Sequence, residues 1–556
     1  MEGARPKADA PDSRELLRAM ALRRIDVALI GYQDQGNLGM GYLAAVAQSR
    51  GHHVELYDVR DGADHIVSRL EGQSPLVVGF SLIFQAFLPQ FRRFAVELRA
   101  AGITSHFTMG GHFPSLCQEE ALAHFPEVDS IVRYEGEQTL LELIERLKAG
   151  ADWRDLDGIA YLEGGRVVTT RPRALVPDLD SLPFPLRPSE PENMGGFATL
   201  PVLASRGCAR TCSFCSIHMF YRTAPGKVVR VRKPAKVVEE MLQLERLHRV
   251  RVFLFQDDDF PLWKAVGRRW AGELAERLHE SGLADRALWK ISCRAEYVEA
   301  ELFSMLRQAG LFLVYMGIES GTEGGLDVLH KQITAERNLE AVEILKQQGI
   351  SFGYGFMLFD PSTSFESIRE NVGFLRKMVG DGSAAAMFSR MLPYGGTPIR
   401  DQLRKEGRLR GDITRPDYVF MDPRINDFHR KLTPIVRPWI HGEGLSYQLN
   451  YVLDELEMIH RLVPGVEGAE IYRAALKMLT RQSNERLLRL VERFADSFEA
   501  GDPFAPDEGE VRDYCETSIA RMVELRNQFI AENIYLLRDA SDAGCPAGPV
   551  LSPQVH

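Results

Sequence analysis

The feature that most constrains the fold of this chain is a regular alternation of short apolar runs with amphipathic helical stretches. Runs rich in β-branched and aromatic residues are typical of strands, and apolar residues spaced three and four apart are typical of helices. This order predicts parallel βα units with right-handed crossovers. In the middle of the chain, strands are predicted at 250–255, 288–293, 311–318, 351–358 and 384–392, and helices at 235–248, 270–281, 299–308 and 335–348.

About six such units would form a partial (β/α)6 barrel, whose site lies at the carboxyl ends of its strands. The first 150 residues show a second βα pattern, which predicts a doubly wound, Rossmann-like sheet. Beyond residue 400 the apolar spacing is helical at 445–462, 467–479, 484–500 and 508–537. The predicted strands of the N-terminal pattern cover 25–31, 54–58, 76–81, 105–109 and 130–133, with helices at 88–101 and 139–148 among those between them.

The fold class is therefore α/β with a helical C-terminal domain, and the chain is expected to divide into six segments. Hairpin residues 158–170, with a turn at Gly164-Gly165, join the two α/β domains through a proline-rich linker. Both ends are polar or rich in Pro, Gly and Ser and are expected to be disordered. The segments are a tail at 1–24, a Rossmann-like domain at 25–150, the hairpin and linker at 151–196, a barrel at 197–400, a helical domain at 401–537 and a tail at 538–556.

Three cysteines in one short run, Cys208, Cys212 and Cys215, carry the strongest chemical signal. Thiolates at this spacing can bind three irons of a [4Fe–4S] cluster and leave the fourth iron open. A zinc site needs four ligands, and only His218 lies nearby. A thioredoxin-like pair is expected early in a small domain. A disulfide framework does not suit 7 cysteines in 556 residues. Four further cysteines, expected to be buried or idle, are Cys117, Cys293, Cys515 and Cys545.

Acidic residues follow one predicted barrel strand in the run Gln256-Asp257-Asp258-Asp259. They lie at the rim where binding groups collect, but they could equally cap a following helix. A basic run follows the cysteines through Lys227, Arg230, Arg232, Lys233 and Lys236. It is interpreted as a solvated edge, with a contact for a reductase or an anionic substrate as the alternative.

The cysteine run has the C-x3-C-x2-C signature of the radical S-adenosylmethionine (SAM) superfamily, which the chain also resembles downstream. Gly317-Ile318-Glu319-Ser320 resembles the G-x-E-S segment of that family. Residues 353–358 resemble a later barrel strand, and 391–398 resemble the closing P-Y-P-G-T-P segment, with Gly395 in place of its second proline. In a further departure, residues 359–364 replace the common G-x-P-G-E-T loop.

This resemblance implies that Cys208, Cys212 and Cys215 hold a [4Fe–4S] cluster whose open iron binds SAM. Phe214 matches the aromatic position that lies against the adenine, and Glu319 matches the carboxylate that accepts from the SAM ammonium. Reductive cleavage of SAM then yields a 5′-deoxyadenosyl radical. The residues implied to bind SAM are Phe214, Gly317, Glu319, Ser320 and Gly355.

The N-terminal loops together resemble the cobalamin-binding (B12-binding) domain that precedes many radical SAM cores. Cobalamin domains that bind the cobalt through a histidine carry D-x-H-x-x-G in the first loop. Residues 34–39 contain no histidine, so no cobalt ligand is expected from this loop. The Gly36 to Gly41 glycines alone are a weak signal and also suit a nicotinamide cofactor. His112 could bond the nucleotide tail or pack against its own backbone. The implied cobalamin-binding residues are Gly36, Asn37, Ser81, Gly110, Gly111, His112, Glu135, Gly136 and Glu137.

The two resemblances together imply a cobalamin-dependent radical SAM enzyme that transfers a methyl group from methylcobalamin to an unactivated carbon. The cofactors carry this chemistry, and no side chain is required as a general base. One alternative is a cobalamin-dependent cyclase or rearrangement enzyme without methyl transfer. Another is an RNA methylthiotransferase, but such enzymes usually carry further N-terminal cluster cysteines and a basic β-rich C-terminal module.

The composition limits the partners of the protein. A net charge of −10 argues against a general nucleic-acid binder. No apolar run approaches about 20 residues, so no transmembrane helix is expected, and residues 1–13 lack the apolar core of a signal peptide. The expectation is a cytoplasmic enzyme that acts on a small-molecule or peptide intermediate, with a flavodoxin- or ferredoxin-type electron donor.

Overall fold

The computed structural model describes residues 24–33, 36–188, 190–501 and 506–542. Residues 1–23 and 543–556 of the expected tails, and Asp34 and Gln35 of the first loop, lie outside the described residues. The chain divides into two units. The first comprises the described residues up to Ile83, together with Phe87–Arg173 and Pro183–Leu186, and the second comprises the remainder.

The first unit is a seven-stranded sheet in the order β2-β1-β3-β4-β5-β6-β7. Strands β1 to β5 are parallel, and β6 and β7 add an antiparallel hairpin at one edge. The strands are β1 Val27–Gly31, β2 Val54–Asp58, β3 Val77–Ser81, β4 His106–Gly110, β5 Ser130–Val132, β6 Ile159–Glu163 and β7 Arg166–Thr169. The helices are α1 Leu38–Ser49, α2 Ala63–Leu70, α3 Leu88–Ala100, α4 His112–Leu116, α5 Gln118–His124 and α6 Glu137–Lys148.

The core of this unit explains why these runs become strands. All five residues of β1 are buried, as expected for a central parallel strand covered on both faces. Leu140, Leu143 and Ile144 of α6 pack with Val27 and Leu29 of β1 in one apolar cluster. The Rossmann-like prediction is confirmed.

The second unit contains a seven-stranded sheet in the order β16-β15-β14-β13-β12-β9-β8. Strand β8 is antiparallel to β9, and the other six strands are parallel. The strands are β8 Glu192–Met194, β9 Phe197–Val202, β10 Ser205–Arg206, β11 Arg230–Val231, β12 Val252–Phe255, β13 Leu288–Cys293, β14 Leu311–Glu319, β15 Ser351–Phe359, β16 Ser389–Arg390, β17 Leu409–Gly411 and β18 Pro416–Tyr418. The helices up to residue 405 are α7 Ile217–Thr223, α8 Pro234–His248, α9 Lys264–Glu280, α10 Leu283–Arg286, α11 Ala300–Gln308, α12 Glu323–Val328, α13 Ala335–Gln347, α14 Phe365–Val379 and α15 Pro398–Lys405.

Strands β13, β14 and β15 alternate in burial with a period of two, whereas β9 and β12 are buried throughout. On β14 the even-numbered Val314, Met316 and Ile318 are fully buried, whereas Tyr315 on the opposite face is 43% exposed. The buried face packs under the helices, and the other face lines the inside of the curled sheet. The structure confirms the partial barrel. The space that the inner face of its sheet borders is called the lumen below.

The C-terminal part is helical, as predicted, but two of its boundaries differ from the prediction. The predicted helices 467–479 and 484–500 are one helix, which begins at Ala469 after Gly468. No Gly or Pro interrupts it, and Asn484 donates to the backbone oxygens of Val379 and Ala384 rather than capping a new helix. The predicted helix 508–537 breaks at Asn533, whose side chain bonds to Glu467 backbone. The helices are α16 Pro423–Ile440, α17 Leu445–Leu462, α18 Ala469–Ala500, α19 Glu508–Glu532 and α20 Ile534–Asp542.

The prediction of a strand over 384–392 is largely wrong, since only Ser389–Arg390 pairs with the sheet. Side chains from α17 and α18 take the backbone groups that a strand would use. Asn450 accepts from Ala385 N at 2.8 Å, and Asn484 accepts from Ala386 N at 2.7 Å. Among the helices of the described residues, none is long and apolar enough to cross a membrane.

Candidate functional site

The loop that carries the three cysteines leaves β10 and enters α7 at the carboxyl-end rim of the barrel. Gly207 opens the loop at φ +89°, and a Cβ there would collide with the carbonyl oxygen of Val228. Ser213 ties the middle of the loop to the segment after α12, because its N donates to Leu329 O at 3.0 Å and its Oγ donates to Val328 O at 2.8 Å. Ile399 N in turn donates to Ser213 O at 3.0 Å. The loop is therefore held on both sides.

The cysteines of this loop are free thiols suited to a cluster. Cys212 is buried, and Cys208 and Cys215 are half-buried. Burial raises the pKa of Cys208 to about 12 and that of Cys215 to about 11. Within the described residues, no three His, Cys, Asp or Glu side chains converge as for a single metal ion. In a cubane cluster, each of the three cysteines would bind a different iron.

The acidic run after β12 supports the loop rather than capping a helix, since the next helix begins at Lys264. Asp257 accepts from Ser205 Oγ at 2.5 Å and from Ala204 N at 3.2 Å. Asp258 accepts from Gly207 N at 2.8 Å. Asp259 Oδ2 lies 3.9 Å from Cys208 Sγ. Burial raises the pKa of both Asp257 and Asp259 to about 7. The helix-capping alternative is therefore wrong, and a binding role for this run at the rim remains a prediction.

A buried network extends from Cys212 to Glu319. Arg294, directly after β13, donates from NH1 to Cys212 Sγ at 3.6 Å and pairs with Glu296 at 2.7 Å. Its NH2 also bonds the backbone oxygen of Lys331. The Lys331 ammonium lies 3.3 Å from Glu319 Oε1, with both side chains almost inaccessible. The cysteine loop and the carboxylate of the G-I-E-S segment thus share one set of contacts.

Glu319 ends β14 in an unusual backbone conformation. Its φ is +68°, and the pairing of β14 with β15 slips between Gly317 and Glu319. A Cβ at Gly317 would collide with Glu319 Oε1, and a Cβ at Gly355 would lie 3.2 Å from Oε2. Glycine at both positions therefore clears space for the carboxylate. Ser320 is buried and supports the next turn by accepting from Thr322 N at 3.2 Å, and Phe214 packs partly buried against the core.

In the first unit, the residues implied in cobalamin binding lie beyond the carboxyl ends of parallel strands. Asn37 caps α1 by accepting from Met40 N at 3.1 Å, and Gly36 precedes it at φ +65°. Ser81 ends β3 beside Gly110, the last residue of β4. Gly111 follows at φ +114°, where a Cβ would collide with Leu82 O. These positions share one edge of the sheet, where ligands of doubly wound folds bind.

The remaining implied residues surround the end of β5. His112 begins α4, Gly136 precedes α6, and Glu137 begins α6. Glu135 and Glu137 are buried. The structure brings all nine implied residues to the same sheet edge, so they remain candidates for the cobalamin site.

The prediction of a solvated edge for the basic run is wrong at its centre. Arg230 and Arg232 are buried, and Arg232 pairs with the equally buried Glu240 at 2.5 Å. Burial of a charge requires such a partner, and Glu240 lies on α8, the helix that begins directly after Lys233.

Sequence reasoning missed Arg294 and Lys331 at the site. Arg294 directly follows a barrel strand, so its position at the rim could have drawn attention to it. Lys331 carries no such signal, because it lies after the short helix α12 and reaches Glu319 only through the turn at His330, whose φ is +50°.

Comparison with known families supports both the cobalamin-binding domain and the radical SAM barrel that the sequence predicts. The B12 binding domain family matches residues 24–144, and the Radical SAM superfamily matches residues 202–375. The chain is therefore a cobalamin-dependent radical SAM protein, and its cofactors are cobalamin, a [4Fe–4S] cluster and SAM.

Among individual proteins, the chain is similar to an uncharacterized methyltransferase of Pyrococcus horikoshii. The two are 28% identical over 370 residues, which cover 65% of this chain and 77% of the relative. The chain is 30% identical over 355 residues to the anaerobic magnesium-protoporphyrin IX monomethyl ester cyclase of Cereibacter sphaeroides, with 62% and 53% covered. It thus spans about half of that cyclase.

The solved structure of the cobalamin-dependent SAM radical enzyme OxsB with aqua-cobalamin bound has the same fold. The TM-score is 0.65 at 17% identity, and the match covers 95% of this chain and 85% of that one.

Proposed function

We propose that this chain is a methyltransferase that uses cobalamin and radical SAM chemistry to methylate an unactivated carbon of a small-molecule or peptide intermediate. The observation that carries the proposal is the shared network of the cysteine loop and Glu319 at the rim of the barrel, in a chain that also has a B12-binding domain. Similarity to a methyltransferase over 370 residues supports the reaction class.

The residues have separate roles in this proposal. Cys208, Cys212 and Cys215 hold the cluster, and the three free thiols on one pinned loop fit it. When bound, the cluster and SAM supply a 5′-deoxyadenosyl radical, and cobalamin carries the methyl group. Glu319 accepts from the SAM ammonium, and Phe214 lies against the adenine. Gly317 and Gly355 keep the space around Glu319 open.

In the same proposal, the carboxyl-end loops of the first unit bind cobalamin. Gly110 and Gly111 let the loop after β4 pack closely against the backbone of Val132 and Leu82, and His112 with the buried Glu135 and Glu137 supplies polar groups. An external flavodoxin- or ferredoxin-type protein would deliver the electron.

A second candidate is a cobalamin-dependent cyclase without methyl transfer. It is favoured by the 30% identity to the magnesium-protoporphyrin cyclase. The two candidates differ in the fate of SAM, since only a methyltransferase produces S-adenosylhomocysteine as well as 5′-deoxyadenosine.

The site assignment is tested by anaerobic reconstitution of cysteine variants. Wild type is expected to bind about four irons per chain and to retain a corrinoid absorption band after incubation with hydroxocobalamin. Cys208→Ala, Cys212→Ala and Cys215→Ala are each expected to lose the cluster but keep the corrinoid. The matched control is Cys515→Ala, since Cys515 is a buried thiol on α19. A cluster retained in the loop variants, or no retained corrinoid in wild type, would contradict the assignment.

A further inference from the structure

Two half-buried side chains of opposite charge in the second unit, Lys290 and Asp454, are not held by hydrogen bonds within the part of the chain that the structure describes. Lys290 lies on the inner face of β13, and Asp454 lies on α17, which packs across β14 and β15. Within the described residues, neither side chain makes a hydrogen bond or an ion pair. Charged groups inside a protein are usually hydrogen-bonded as well as paired, so both side chains are able to bind a ligand directly.

Both side chains are half-buried, and they lie close enough for the charge of each to influence the pKa of the other. Burial lowers the pKa of Lys290, which the charge of Asp454 opposes. Burial also raises the pKa of Asp454 to about 7, with the charge of Glu457 adding to the effect and that of Lys290 opposing it. Both side chains nevertheless keep part of their surface accessible. The accessible part of Lys290 faces the lumen, because its neighbours Trp289 and Ile291 are buried on the opposite face of β13.

The helix that carries Asp454 is fixed against the barrel. Arg461 of α17 donates to Leu311 O, at the start of β14, at 2.7 Å, and to Arg307 O at 3.0 Å. Tyr451 Oη accepts from Gly195 N at 3.4 Å. The position of Asp454 relative to Lys290 is therefore set by the fold.

Tyr315 links this pair to the site at the rim. The Lys290 ammonium lies 5.8 Å from the centroid of its ring. A Cβ at Gly355 would lie 3.1 Å from Tyr315 Oη and 3.2 Å from Glu319 Oε2, so both oxygens border the same point. Polar groups thus continue from Glu319 through Tyr315 to Lys290 and Asp454.

We propose, on the basis of the function proposed above, that Lys290 and Asp454 form a substrate subsite in the lumen for the zwitterionic head group of an α-amino acid. The substrate carboxylate binds Lys290, and the substrate ammonium binds Asp454. A simple anion would be repelled by Asp454, and a simple cation would be repelled by Lys290. Glu457 does not compete for the ammonium, because it already pairs with Arg473 at 3.0 Å.

The test measures binding to the full chain reconstituted with iron, sulfide and cobalamin. The probes are the twenty proteinogenic L-amino acids, titrated by calorimetry. For the tightest binder, its decarboxylated amine and its deaminated acid are titrated too. We expect saturable binding to wild type, and at least about tenfold weaker binding of both analogues, since each loses a charged hydrogen bond.

Variants of the two residues provide the specific readout. Lys290→Met and Asp454→Asn are each expected to weaken amino-acid binding at least about tenfold. In Lys290→Met the amine is expected to bind as well as the amino acid, because the carboxylate no longer has a partner. If Lys290 had only a structural role, Lys290→Met would still bind the amino acid more tightly than the amine. Lys290→Arg keeps the charge and is expected to keep the preference for the amino acid.

Matched controls are Lys477→Met on α18 and Asp513→Asn on α19, both at exposed positions, and both are expected to bind as wild type does. The subsite is contradicted if no amino acid binds wild type saturably, or if Lys290→Met still prefers the amino acid to the amine. Reductive cleavage of SAM to 5′-deoxyadenosine is measured separately. Its absence in wild type would overturn the proposed function, whereas its presence without amino-acid binding would overturn only the subsite.

Discussion

At the scale of single residues, the most informative position is Glu319. A non-glycine residue at φ +68° stores strain, and such strain persists where the surrounding structure enforces it. Here Lys331 pairs with the carboxylate, and two glycines leave it room. We infer that these contacts hold the Glu319 carboxylate in position to bind a cationic ligand at the rim.

Replacement of Glu319 by Gln is expected to weaken SAM binding at least about tenfold, because the amide cannot offer a full negative charge to the ammonium. The dissociation constant for SAM is measured on the reconstituted protein, with iron content as a check of folding. Glu336→Gln, at an exposed position on α13, is the control. An unchanged affinity in Glu319→Gln would contradict the role of Glu319.

Arg294 is expected to tune the cluster rather than hold it. Its N–H donates to Cys212 Sγ, and hydrogen bonds to cluster sulfurs influence the reduction potential. Arg294→Met should therefore shift the potential to more negative values in a redox titration followed by electron paramagnetic resonance. Glu296 keeps a partner in this variant, because Arg210 lies 2.6 Å from it. Arg269→Met, at an exposed position on α9, should leave the potential unchanged; equal potentials in all three proteins would contradict this role.

At the scale of elements, the strand-to-helix loops were predictable because strand ends meet at one edge of a parallel sheet. The segment 384–392 was not, because its apolar composition gives no sign that Asn450 and Asn484 would take its backbone groups. The length of α18 was also misjudged, since a polar Asn484 inside a helix resembles a cap in sequence alone. Both predictions failed because these hydrogen bonds join residues far apart in the sequence, which a local pattern does not show.

The cysteine loop depends on the conformation of Gly207. Gly207→Ala combines a positive φ with a clash against backbone and should destabilise the protein by about 1–3 kcal/mol. We expect a lower Tm and a lower iron content after reconstitution. Gly373→Ala is the control, since a Cβ there has nothing within 4 Å and the residue lies inside α14. If both variants lose equal stability, the loop is not limited by Gly207.

At the scale of the whole molecule, the sequence predicted both α/β folds and the family, because strand order and a cysteine signature are local patterns. It could not predict the contact of Lys331 with Glu319 or the packing of the helix that carries Asp454 across β14 and β15. These depend on how α12 and α17 pack, which no local pattern encodes. The domain boundaries and the roles of the site residues remain predictions.

Stability in mild acid tests the packing of the C-terminal helices against the barrel. His429 of α16 lies 4.8 Å from the ring of Phe359, and burial, with the charge of Arg390, lowers its pKa to about 4. The unfolded chain binds the proton near pH 6.5, so stability is lost as pH falls from about 6.5 towards 4, by at most about 1.4 kcal/mol per pH unit. His429→Phe should show a smaller drop in Tm from pH 7 to pH 5 than wild type. His279→Phe, at an exposed position, should not; an unchanged drop in His429→Phe would contradict a buried neutral His429.

The central claim is that SAM serves this protein both as radical source and as methyl donor. The most direct measurement is the product analysis of SAM incubated anaerobically with the reconstituted protein, cobalamin and a strong reductant. The account predicts that 5′-deoxyadenosine and S-adenosylhomocysteine both form, that the first is lost in Cys212→Ala, and that the second requires cobalamin. Formation of 5′-deoxyadenosine without S-adenosylhomocysteine would contradict the methyltransferase and favour the cyclase.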